Sequence, residues 1–160
     1  MEIFLTILAG AGTFVLGQII MKLVIDPVQS LKIAIAEVAN KLILSANIYA
    51  NPRPASDEKQ KEMSQEMRIL SSKLQSNMHL IPCYDYTAKI FGLPKKEQIA
   101  IASNGLIFIH NGHDGVLANQ GILNCYAAQK IRIALSIFIP PGEYLNPEHE
   151  KVFIKAKQNE

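Results

Sequence analysis

The chain has 160 residues and a mass of 17.7 kDa; 49% of its residues are hydrophobic, its mean hydropathy is +0.13 and its net charge is +2. That length holds one membrane-crossing segment and one modest domain, and excludes a multidomain machine. A charge so small, with no local basic block, excludes a nucleic-acid footprint, and the absence of Trp leaves no strong aromatic belt for a membrane interface.

Residues 3–21, IFLTILAGAGTFVLGQIIM, contain no charged side chain. At ~1.5 Å rise per residue the run is about long enough to cross a hydrocarbon core of ~30 Å. Apolar on every face, it predicts a transmembrane helix, because a small domain has little room to bury a helix all round. A cleavable leader is disfavoured: only Glu2 precedes the run, where a leader carries positive charge. Lys22, Lys32 and Lys41 follow it with no Lys or Arg before it, so the positive-inside bias places the N-terminus outside and the remaining chain in the cytoplasm. In that reducing compartment Cys83 and Cys125 are expected as plain thiols. Ala9, Thr13 and Gly17 recur every four residues, a spacing that lets membrane helices approach closely, and Gln18 adds a donor for an interhelical hydrogen bond.

Asp26-Pro27 either starts a second helix or kinks a continuous one, which runs to about Ala50. Val28, Leu31, Ile35, Val38, Leu42, Ser45 and Tyr49 follow a heptad, and the same phase extends back through Val24, Met21, Gly17, Phe14, Gly10, Ile7 and Ile3. The expectation is one seam running from the membrane into the domain, with a self-association interface over Ala9, Thr13, Gly17, Gln18, Leu31, Ile35, Val38 and Leu42. Ile33, Ala36, Ile43, Leu44 and Ile48 make the segment apolar elsewhere, so it should be covered on more than one side. Asn40 and Asn47, one heptad apart on a second face, either fix register or face water.

Asn51-Pro52-Arg53-Pro54 ends this helix, and Ser56 or Asp57 caps a third one, striped by Met63, Met67, Leu70, Leu74, Met78 and Ile81. A short element from Tyr84 to Phe91 stops at Gly92. Another helix spans about Lys95 to Asn111 with Ile99, Ala102, Leu106 and Ile109 on its buried face; the Asn104-Gly105 hairpin alternative lacks strand alternation. Asn119 caps the last long helix, read as running to about Phe138 through Ile122, Tyr126, Ile131 and Leu135. A tail helix opens at Pro147, with Glu148 and Glu150 first and Lys151, Lys155 and Lys157 later. The fold class is therefore all-α: an anchor over 1–26, a helical domain of two helical hairpins over 27–139, and a tail over 140–160.

His110, His113 and Asp114 are the tightest group of metal-ligand types, but a glycine-bracketed turn rich in His, Asn and Asp is ordinary loop chemistry. Arg53, Arg68 and Arg132 would hold a phosphate only if the fold gathered them. No Walker loop, HExxH, CxxC or GxSxG occurs. The expected role is non-enzymatic, with no cofactor. The expected partners are membrane lipid, further copies of the chain and an unidentified protein, with no nucleic acid. Two alternatives belong to other classes: an oligomeric pore using Thr6, Thr13 and Gln18, and a metal-dependent enzyme using the His110 loop.

Overall fold

The computed structural model describes residues 1–155, and every element among them is helical. The chain forms α1 (Glu2–Ile20), a π turn (Met21–Ile25), α2 (Asp26–Leu44), α3 (Ala46–Ala50), α4 (Glu58–His79), α5 (Tyr84–Phe91), α6 (Lys96–Asn111), α7 (Gln120–Ala134) and α8 (Pro147–Lys155). The expected Lys157 at the end of the tail lies outside the described residues.

The first three elements are one unbroken helix of 43 residues, Glu2–Leu44. Pro27 has no N–H to give the Leu23 carbonyl, and its ring would strike that oxygen. The backbone answers by widening just upstream: the Asp26 N–H donates to Met21 O, one residue further back than α-geometry uses. Lys22 and Asp26 pair across this turn at 2.9 Å. The extra residue sets the helix phase back by roughly 100°. The line through Ile3, Gly10 and Gly17 is therefore not the prolongation of the Val28–Leu31–Val38–Leu42 stripe, which corrects the continuous seam expected from the heptad.

Both expected hairpins form, α2 with α4 and α6 with α7, and the most extensive packing joins them through α4 and α6. Asp57 caps α4, its Oδ1 accepting the Gln60 N–H at 3.0 Å, and the acceptor role holds its carboxyl below the usual carboxylate range. The Gln98 side chain accepts the Lys95 N–H at 3.0 Å and so closes the first turn of α6. Leu31, Val38 and Leu42 of α2, Met63, Met67 and Leu74 of α4, Ile99, Leu106 and Ile109 of α6 and Ile131 of α7 are each at most 1% exposed. Removing each such side chain from water contributes about 1.5–3 kcal/mol. Small polar residues set the α4–α6 distance: Ser71 Oγ donates to Ser103 O at 3.1 Å, and Ser64 Oγ to His110 O at 2.6 Å. Gly105 gives α7 the same closeness, since a Cβ there would lie 2.7 Å from Ile131 Cγ1.

Two helix ends differ from expectation. The second helix breaks at buried Ser45, and α3 turns its short length onto α7. α7 ends at Ala134 rather than near Phe138, because Ser136 adopts left-handed backbone (φ 56°) and the Ile137 N–H reverts to Arg132 O at 2.8 Å. Phe138 is accordingly 78% exposed; on α7 itself Ile122 is 42% exposed, while Leu123 and Ala127 fill the buried side. The tail helix docks on its own domain: Tyr126 and Phe153 rings lie 6.4 Å apart, Gln129 exchanges two hydrogen bonds with the Leu145 backbone, and Lys130 meets Glu150 at 2.6 Å.

Candidate interaction surface

Ala9, Thr13, Gly17 and Gln18 all lie on α1, which buries no residue at all. Beyond the adjacent residues and backbone of its own helix, a Cβ added at Gly10, Gly12 or Gly17 would meet no atom of the described residues within 4 Å. The small-residue surface is therefore presented outward along its whole length. Thr6 and Thr13 turn their hydroxyls back onto their own helix, donating to Glu2 O at 3.0 Å and Ala9 O at 2.9 Å. An 18-residue window of this helix has a mean hydropathy of 2.0, so it is long and apolar enough to cross a membrane.

The domain half of the expected interface is placed differently. Leu31, Val38 and Leu42 are 0% exposed, and Ile35 packs partly buried against the same core. α4 covers this stripe, so Leu31, Val38 and Leu42 are occupied within the chain and offer nothing to a second copy, while Ile35 stays half-buried at its edge. What α2 turns outward is the other face: Gln29, Ile33, Ala36, Asn40, Ile43 and Leu44 are all exposed, Ile33 by 54% and Ile43 by 64%. Asn47 lies beyond the Ser45 break, and the Asn51 amide donates to its backbone and side-chain oxygens.

The loop with His110, His113 and Asp114 is a structural joint. His110 Nδ1 lies 2.9 Å from Ser64 O and 2.8 Å from Ser64 Oγ, so the imidazole stitches α6 to α4. His113 Nδ1 faces the Asp114 carbonyl at 2.9 Å, and the Asp114 N–H donates to Arg53 O at 2.9 Å. No group of three metal-ligating side chains comes together among the described residues. The arginines take separate partners: Arg53 pairs with Asp57 at 3.5 Å and Arg132 with Glu143 at 2.9 Å, while Arg68 is exposed on α4.

Beneath this joint is a buried knot of amides. Asn124, 0% exposed, donates to Tyr49 O at 2.9 Å and Gly112 O at 3.0 Å, and its own oxygen accepts from Gln120 Nε2 at 2.8 Å. Gly112 and Gly121 are required beside it: a Cβ at either would collide, with Asn124 Oδ1 and with the Ala50 carbonyl respectively. The Gln120/Asn124 spacing is visible as an i,i+4 amide pair, but its backbone partners come from two distant segments.

A concavity of about 490 Å³ lies between the ends of α2 and α7 and the chain after α7, with Tyr49, Cys125, Arg132 and Phe138 in its wall. Burial pushes up the Cys125 thiol and, as the largest cause, the Tyr49 hydroxyl, which Arg132 partly offsets. Both groups stay neutral near pH 7, and Glu143 neutralises Arg132. The arrangement has no activated nucleophile.

Models of known protein families, curated proteins and solved structures contain no match to this chain.

Proposed function

We propose that the protein is a single-span membrane scaffold. α1 lies in lipid with the N-terminus outside, the helical domain stands on the cytoplasmic side, and copies associate through Ala9, Thr13 and Gly17 with Gln18 as an added donor. The assembly holds partner proteins at the inner face of the membrane. The role is non-catalytic, since the side chains best suited to chemistry are spent on structure: His110 on Ser64, Arg132 on Glu143, and Cys125 as a buried neutral thiol.

One observation carries the reading. A single helix has its distal half locked into the bundle while its proximal half leaves an 18-residue apolar window 0% buried. In water such a surface is an aggregation liability; in lipid it is at home, and association is then driven by close packing of small residues. The back-bonded hydroxyls of Thr6 and Thr13 support a scaffold over a pore, because a polar path would need them.

Ala9→Leu with Gly17→Leu tests the span interface. In native membranes the double variant is expected to lose the crosslinked oligomers of the parent while remaining membrane-bound. Unchanged oligomer size would reject that interface. Mass measurement of the intact complex purified from native membranes gives the copy number and any held partner.

A further inference from the structure

We infer that the outward face of α2 is a second, cytoplasmic self-association surface. There two copies pair in parallel and in register through Ile33, Ala36, Asn40 and Ile43, with Lys32 of one copy meeting Glu37 of the other. This rests on the membrane-anchored reading above and names its partner as a second copy of the chain.

The spacing 33, 36, 40, 43 is that of alternating a and d positions, and all four side chains are exposed. The face carries no charge between its flanks, although it stands on a charged domain surface. Its central a position is Asn40, a residue that fixes register between paired helices at some cost in stability. In this register Lys32 falls at g and Glu37 at the following e, the i to i+5 relation that links parallel strands. Lys41 is already committed to Glu66 on α4, whereas Lys32 has no ion-pair partner among the described residues. Glu37 binds Lys73 of its own α4 at 2.8 Å with 42% of its side chain exposed, which leaves an oxygen for a second cation. An antiparallel pair would not bring Lys32 to Glu37 in this way. Two spans inserted in the same sense impose the parallel one.

The π turn connects this face to the span. A single extra residue between Gly17 and Gln29 rotates Gly10 and Gly17 away from the buried stripe of α2 and into line with Ala36 and Ile43. One seam thus runs along the outer side of the Glu2–Leu44 helix. Two heptads form a small patch, too small for a dimer free in solution, so it pairs only between copies whose spans are already associated, and that association supplies the effective concentration it needs.

Single cysteines at residues 31–44 of the full chain, in a Cys83→Ser, Cys125→Ser background, are oxidised in membranes. Ser72→Cys, exposed on α4, serves as the random-collision reference. Disulfide dimers should peak at Ile33→Cys, Ala36→Cys, Asn40→Cys and Ile43→Cys. Lys32→Glu should lower the Ala36→Cys dimer yield about two- to fivefold, and adding Glu37→Lys should restore it. A flat profile at the Ser72→Cys level, or a charge swap that does not rescue, overturns the α2 surface. Dimers still captured by Gly17→Cys in the same membranes would leave span association standing, whereas their loss as well would remove both.

Discussion

The two halves of the Glu2–Leu44 helix share one backbone axis and differ in what surrounds them. α1 has no charged residue between Ile3 and Met21 and buries nothing; α2 carries Lys32, Glu37 and Lys41 and buries Val28, Leu31, Ala34, Val38 and Leu42 along one stripe. A stripe can be covered by one neighbouring helix, and α4 covers it. A helix apolar all round cannot be covered that way, and α1 is long and apolar enough to cross a membrane. The glycines repeat the contrast. Gly105, Gly112 and Gly121 sit where a Cβ would strike a neighbour, whereas Gly10, Gly12 and Gly17 face open space.

The contrast breaks most sharply at the stripe. Leu31→Ala should destabilise the domain by about 2–5 kcal/mol in denaturant unfolding and leave membrane partition unchanged. Val15→Arg should do the reverse: about 2.5–3.5 kcal/mol against insertion, seen as chain lost from the membrane fraction, with the melting of the domain unaltered. If Val15→Arg partitions like the parent, α1 is not in lipid. Gly121→Ala presses a methyl onto the Ala50 carbonyl and should cost about 1–3 kcal/mol of domain stability, whereas Gly12→Ala on α1 should cost the domain nothing. Circular-dichroism melts of the pair separate packed from unpartnered glycine.

The smallest effect sharpens the domain side. Tyr84 donates to Pro94 O at 2.7 Å, and burial pushes its hydroxyl up to about 12. Its folded value lies above the unfolded value of about 10, so this contribution is whole below pH 10 and is lost as pH rises through 12. Tyr84→Phe should cost about 1 kcal/mol at neutral pH and remove the matching late step from an ultraviolet tyrosinate titration.

Much of the architecture is legible from local chemistry. The Asp57 cap, the Gly92 stop (φ 65°) and the α6 face of Ile99, Ala102, Leu106 and Ile109 follow from cap and periodicity rules and reappear in the structure. Other features depend on tertiary choices that no short window contains. A heptad stripe does not state whose helix will cover it, and so Leu31, Val38 and Leu42 read as an interface between copies although α4 claims them. Pro27 signals trouble in the helix, but its presence alone fits either a kink or the π turn that forms over Met21–Ile25. Ser136 enters left-handed backbone without a glycine to announce it, which shortens α7. Asn119 sends its amide to Phe153 O at 3.4 Å instead of capping α7, and the partner of Asn124 at Tyr49 lies 75 residues away.

The most direct measurement is flotation of the intact, detergent-free chain with phospholipid vesicles through a density gradient, before and after an alkaline carbonate wash. The chain should rise with the vesicles and stay with them after the wash, released only by detergent. A chain recovered from the aqueous fraction as a monodisperse folded species would contradict it, because α1 would then have found cover without lipid.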